Sequence, residues 1–307
     1  MSTVEGEPPG RCDTSPRAGA SLPGMARHVA VVTDSTAYLP PEMLEQHGIT
    51  AVPLTVVLDG EAREEGTEIS APALAEALRK HRPVTTSRPS PETFAATYRT
   101  LAEAAPGLDG IVSLHLSAEV SGTYDAAVLA AREAPVPVRV VDTGMVAMAL
   151  GFCALAAAET ADAGGTLDDA AAAAEKRAEG TAAYFYVDTL DYLRRGGRIG
   201  AAQALLGSAL AVKPLLELAD GRIGMLEKVR TASRAIARLE EIAVEYSADA
   251  RVDLAVHHLA APERADQLAQ RLRDRLPGLA DLHVSEVGAV IGAHTGPGLL
   301  GVVVSRR

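Results

Sequence analysis

The stretch His28-Val29-Ala30-Val31-Val32-Thr33-Asp34-Ser35-Thr36 decides the fold class. Its first five residues form a short β-branched run of the buried-strand type. Thr33 to Thr36 then offer side chains able to cap a helix, and Pro40-Pro41 opens one that runs to about Gln46. Gly48 ends that helix, and Ala51 to Leu58 supplies the next strand. Downstream the same device returns. Ser70 caps and Pro72 initiates a helix to about Lys80, and Ser90-Pro91 starts another over Glu92 to Ala105. Gly110 to Leu116 reads as a strand, Ser121 to Glu133 as a helix, Val136 to Val141 as a strand, and Met145 to Ala161 as a long Ala-rich helix. Strands and helices alternating at this rhythm predict a parallel sheet covered on both faces.

Gly164-Gly165 breaks the chain. Beyond it come a helix over Leu167 to Glu179, a strand over Thr181 to Val187, a helix near Ile199 to Leu210 and a strand over Ala211 to Leu218. Asp220-Gly221 makes a hairpin turn into Arg222 to Val229. A helix over Ser233 to Tyr246, a strand over Val252 to Leu259, a helix over Pro262 to Leu276 and two apolar stretches ending at Val304 complete it. The expectation is an α/β protein of two domains. Residues 28–165 form an N-terminal parallel-sheet domain, and residues 166–307 form a C-terminal mixed α+β domain. Residues 1–27, with four Pro, four Gly and no apolar periodicity, read as a disordered leader.

At 307 residues with 48% hydrophobic and 22% charged residues the chain has the composition of a globular protein. A net charge of −11 speaks against a broad electrostatic grip on nucleic acid. Aromatics at 3% with no Trp leave little material for base stacking. Cys12 and Cys153 sit in a tail and in an apolar run, which makes a disulfide framework and a zinc site poor expectations. The longest apolar run, Met145 to Ala158, is 14 residues, short of the ~20 of a membrane span. No secretory layout opens the chain, so a cytoplasmic protein is expected.

Ligands of open parallel sheets bind beyond the carboxyl ends of strands, and three hydroxyl-rich clusters fall there. They are Thr33-Asp34-Ser35-Thr36, Thr85-Thr86-Ser87-Arg88-Pro89-Ser90, and Ser117 with Ser121-Gly122-Thr123. Each alone is accounted for by helix capping. Together they suit an anion, a carboxylate or a phosphate. Tyr192 to Gly200 (YLRRGGRIG) places three arginines and three glycines in nine residues. It reads either as a solvated turn opening a helix or as a phosphate or carboxylate contact. His294 stands in a tight HTGPG turn. His257-His258, mid-strand, face opposite ways and cannot share a metal. No phosphate-loop, dinucleotide-binding or nucleophile-elbow motif occurs, so residue chemistry alone reaches a two-domain α/β protein with a hydroxyl-rich anion pocket.

Several segments nevertheless resemble the DegV family of bacterial fatty-acid-binding proteins over about residues 28–305. They are VAVVTDSTAYLP (Val29 to Pro40), TTSRPSPETF (Thr85 to Phe94), HLSAEVSGTYDAA (His115 to Ala127), VVDTGMVAMALGF (Val140 to Phe152), YLRRGGRIG and HTGPGLLGVVV (His294 to Val304). The resemblance implies two α/β domains with a long-chain fatty acid between them and no cofactor or metal. It implies a carboxylate held at Thr86, Ser117, the Ala118 backbone N–H and His294, with Ser87 and Ser121 in support. Ala118 stands where the family motif has a second serine. The resemblance further implies a non-catalytic lipid-binding subunit that presents the acid to an ATP-dependent fatty-acid kinase, with Arg194, Arg195 and Arg198 facing that partner or the transferred phosphoryl group. Two other readings stay open on the residues: a phosphoryl or acyl transferase in its own right, and a small-anion sensor.

Overall fold

The computed structural model describes residues 28–200, 202 and 213–307. The leader expected over residues 1–27 and nearly all of the helix expected near Ile199 to Leu210 lie outside them.

The first half runs β1 (Val29–Asp34), a 3₁₀ turn (Ser35–Ala37), α1 (Pro41–Gln46), β2 (Ile49–Val52), β3 (Thr55–Leu58), β4 (Glu61–Glu64), α2 (Ala71–Arg79), β5 (Val84–Ser87), α3 (Pro91–Ala104), β6 (Gly110–His115), α4 (Thr123–Ala131), β7 (Val138–Asp142), α5 (Met148–Asp162) and α6 (Leu167–Glu179). The second half runs β8 (Thr181–Tyr186), α7 (Asp191–Arg195), β9 (Lys213–Ala219), β10 (Arg222–Val229), α8 (Ala232–Ser247), β11 (Val252–His258), α9 (Pro262–Arg275), β12 (Leu279–Glu286), α10 (Ala289–Thr295) and β13 (Leu300–Arg306).

Helix starts follow the local chemistry. Ser70 accepts a hydrogen bond from the Ala73 N–H and Ser90 from the Thr93 N–H, each ahead of a proline in the first turn. Thr166 and Asp169 close a reciprocal capping box at α6. Strands β2-β1-β6-β7 form an all-parallel sheet. The second sheet, β10-β9-β8-β13-β11-β12, is mixed: only β11 and β12 run parallel. Both agree with the fold class expected from the alternation. At the β9–β10 hairpin Asp220 and Gly221 both take positive φ, +50° and +73°, which suits the two-residue turn.

Three expectations are corrected. Ala51 to Leu58 is two strands, because Pro53 between them has no N–H for a ladder; β2 stays in the parallel sheet and β3 leaves it. The segment Thr85 to Ser87, expected as part of a hydroxyl-rich cluster beyond the carboxyl end of a strand, itself belongs to strand β5, which with β3 and β4 forms a three-stranded antiparallel sheet. Tyr192 to Arg195, read in one of two alternatives as a solvated turn opening a helix, belongs to the short helix α7.

The second sheet is apolar on both faces. Leu254, Val256, Val302, Val304 and Leu215 pack with Leu239 of α8 and Leu268 and Leu272 of α9. The other face, with Ala183, Ala255 and Val303, joins Met148, Leu150 and Phe152 of α5 in one core. Helix α5 is buried nearly all round, as an all-apolar helix must be, and it lies between the two sheets. Its first N–H is capped from across that interface: Met148 N donates to His257 Nε2 at 3.2 Å. The ring proton therefore sits on Nδ1 and is shared with Ser285 Oγ at 3.1 Å.

Burial pushes the His257 pKa down to about 4. Native His257 stays neutral until that pH, whereas an unfolded histidine protonates near 6.5. Between the two values the unfolded chain holds the extra proton, so stability falls as pH falls through that window, by about 2–3 kcal/mol from this residue. Urea midpoints measured from pH 7 to pH 4 should drop, and His257→Gln should flatten part of the slope. A slope unchanged by that substitution would refute the assignment.

Candidate ligand-binding site

The crossovers from β1 and from β6 run in opposite directions along the parallel sheet, which opens a crevice between their carboxyl ends. A buried polar network fills the crevice. Asp34 Oδ1 accepts from Thr36 N (3.1 Å) and Thr36 Oγ1 (2.5 Å), and Oδ2 accepts from Leu116 N (3.0 Å) and His115 Nδ1 (3.1 Å). His115 Nε2 meets Ser113 Oγ at 2.8 Å, and Ser113 accepts from the Tyr98 hydroxyl at 2.9 Å. The order Ser–His–Asp is that of an activated nucleophile. Here all three side chains are fully buried and none lines the cavity described next, so the network is structural.

The cavity lies just beyond, between the carboxyl ends of the parallel strands and the inner face of the second sheet. It measures about 370 Å³. Its walls are mainly aliphatic, with Leu54, Leu116, Val146 and Ala147 on one side and Ala183, Leu218, Gly301 and Val303 on the other. Ala147 holds φ +56° and ψ −148° at this wall, a costly conformation for a residue with a β-carbon.

Polar groups gather at one place. Thr86 Oγ1, from β5, and His294 Nε2, from α10, are 2.8 Å apart. Ser87, Arg88, Ser121 and Arg198 line the cavity with them. Arg198 donates to Val120 O (3.0 Å) and Gly196 O (2.6 Å), and Arg88 donates to Gly122 O at 3.3 Å. Two further polar side chains at the cavity are engaged: Thr295 donates to Ile291 O, and both nitrogens of His257 have partners.

The proton on His294 can be placed. A β-carbon at Gly196 would fall inside the contact radius of His294 Nδ1, so a Gly196 Cα–H points at that nitrogen. Nδ1 is buried and without a hydrogen-bond partner. A hydrogen on Nδ1 would meet that Cα–H head on, which leaves the proton on Nε2, donated to Thr86 Oγ1. Burial, assisted by the neighbouring Arg198 charge, pushes the His294 pKa down to about 4, so the ring is neutral near pH 7. With its oxygen already accepting, Thr86 has its own hydroxyl proton to give to an acceptor in the cavity.

Of the residues singled out from sequence, Thr86, Ser87, Ser121, Arg198 and His294 meet at this cavity. Ser117 and Ala118 do not line it: Ser117 Oγ donates to Gly221 O at 2.6 Å and the Ala118 N–H donates to Asp142 Oδ1 at 3.1 Å. Arg194 and Arg195 are exposed on α7, the first pairing with Asp191 at 3.4 Å and the second lying over the Tyr192 ring. Arg88 and Gly196 stood in the segments Thr85 to Ser90 and Tyr192 to Gly200 without a role of their own, and Gly301 was not singled out. A glycine inside a strand, as at 301, is a signal of close approach or open space that could have been used. Among the described residues no group of three or more His, Cys, Asp or Glu could hold a metal ion, and no helix is long and apolar enough to cross a membrane.

The family model described as "Uncharacterised protein, DegV family" matches residues 28–307. The chain belongs to the DegV family. A DegV domain-containing protein of Streptomyces coelicolor is 80% identical over 283 residues, 92% of this chain and 100% of the relative. Two solved structures of DegV proteins share the fold. One, described by its fatty acid binding, is from Thermus thermophilus, with a TM-score of 0.85, 35% identity and coverage of 91% of this chain and 99% of the other. The second, described as a fatty acid binding protein, is from Bacillus subtilis, with a TM-score of 0.84, 37% identity and the same coverage.

Proposed function

We propose that this DegV protein binds a long-chain fatty acid in the cavity between the units formed by residues 28–165 and 166–307. Its carboxylate lies at Thr86 and His294, with Ser87 and Ser121 beside it. The observation that carries this reading is an aliphatic slot whose polar side chains gather at one end, around the paired Thr86 and His294. The relatives described as fatty acid binding proteins support it. An acyl chain of ~14 methylenes would gain about 11 kcal/mol of gross transfer energy at ~0.8 kcal/mol each, reduced by ordering costs. The head group adds orientation more than affinity, since a buried carboxylate without donors is costly.

Ser117 and Ala118, which the resemblance had assigned to the carboxylate, have their donors engaged by Gly221 and Asp142. They act instead by shaping the loop that carries Ser121. The chain is a non-catalytic carrier in this reading and presents the acid to an ATP-dependent kinase. Exposed Arg194 and Arg195, outside the cavity, face that partner, and Arg198 stands at the cavity wall between them and the head group.

Natively purified protein, denatured and extracted into solvent, should yield about one fatty acid per chain by mass spectrometry. Thr86→Val should weaken retention in competition with labelled acid by about 1–3 kcal/mol, the cost of an acceptor left without its donor. Protein that is empty as purified and takes up no added fatty acid overturns the proposal.

A further inference from the structure

We propose that Arg88 is a further head-group ligand, so that this pocket anchors its acid by charge where Ser117 and Ala118 supply no donor. The inference rests on the fatty-acid reading above and goes beyond it in naming what discriminates an acid from a neutral lipid.

Two loops face each other across the polar end of the cavity, one following β5 and one following β6. On the β6 side the donors nearest the strand are spent inside the protein: Ser117 Oγ on Gly221 O and the Ala118 N–H on Asp142. On the β5 side Arg88 reaches across to the opposite loop. Its guanidinium lies against the Cα of Gly122, so closely that a β-carbon at 122 would overlap Nη1. One N–H bond, Nη1 to Gly122 O at 3.3 Å, fixes it there. A guanidinium carries five N–H donors, and Arg88 has no carboxylate partner among the described residues. The group lines the cavity together with Thr86, Ser87 and Ser121.

A planar cation with donors to spare, held at the polar end of an apolar slot and lacking an acid of its own, matches a carboxylate. Arg198 differs, since it is committed to two backbone carbonyls, Val120 O and Gly196 O. Arg88 also joins the two walls of the slot. A strap of that kind would favour any lipid, whatever its head group, so the two roles separate by ligand charge.

The test measures binding of a long-chain fatty acid and of the fatty alcohol of equal length by wild type, Arg88→Gln and Arg88→Lys, at low and high salt. Arg88 is exposed, so both substitutions leave the core untouched. Arg88→Gln should weaken the acid about tenfold while the alcohol stays within about twofold, and Arg88→Lys should fall between, as for a lost charge-assisted contact near solvent. The salt dependence of acid binding in wild type should shrink in Arg88→Gln. Equal weakening of acid and alcohol would reduce Arg88 to a strap and overturn the proposal, as would no weakening of either. A wild-type protein that takes up neither lipid would overturn the fatty-acid reading itself, and Arg88's role with it.

Discussion

Replacing Gly301 by leucine is expected to abolish high-affinity binding of the long acid while leaving the protein folded. Gly301 sits on β13 between Phe185 of β8 and His257 of β11, and all three line the cavity. Its backbone is ordinary extended strand, and the nearest atoms to a β-carbon there, from Phe185, Tyr184 and His257, lie at 3.6–3.8 Å, normal contact. The added side chain therefore projects into the slot. Its four carbons displace a comparable length of ligand at about 0.8 kcal/mol per methylene, which amounts to about two hundredfold in affinity. Acids shorter by about four carbons should lose much less, so the preferred chain length shifts downward. Titrations with a series of saturated acids read this directly. A variant that binds the long acid as wild type does would show that the acyl chain runs elsewhere.

The second large effect concerns stability. Asp34→Ala should destabilise the chain by about 3–5 kcal/mol, the range found when one partner of a buried charged network is removed. Four donors converge on the Asp34 side chain from Thr36, His115 and Leu116, all in residues that are buried. Removing their acceptor orphans them in a crevice too tightly filled for easy hydration. The same bonds tie the end of β1 to the end of β6, ahead of the loop that carries Ser121. The loss should therefore appear both as a lower urea midpoint with unchanged m-value and as weakened acid binding. Asp34→Asn should recover part of the stability, because one of its two oxygens survives as an acceptor. A loss under about 1 kcal/mol for Asp34→Ala would show that the network is not what holds the crevice together.

Much of the fold was legible from residues close in sequence. The caps at Ser70 and Ser90, the prolines behind them, and the Asp220-Gly221 hairpin act over a few residues, and the folded protein keeps each of them. The misreadings have the same origin. Val84 to Ser87 carries three hydroxyls and no apolar alternation, so it looks like a loop. It becomes a strand only because β3 is there to pair with it. Ala51 to Leu58 looks continuous until Pro53 sends its two halves to different sheets.

The candidate site divides along the same line. Thr86, Ser121 and His294 were singled out because they recur in the DegV motifs; by itself each hydroxyl is accounted for by helix capping. The role assigned to Ser117 could not be judged that way: its hydroxyl turns toward Gly221, 104 residues further along the chain.

From sequence alone come the α/β class, the hydrophobic register of most elements and the placement of donors at the ends of strands, since all depend on short-range periodicity and backbone chemistry. Tertiary structure alone decides that Thr86 meets His294 across 208 residues, that Gly196 leaves the imidazole proton on the side facing Thr86, and that an arginine bridges the two loops. Those are contacts between surfaces brought together by packing. Whether a donor is spent on the protein or left for a ligand depends on which atoms packing places within 3 Å of it.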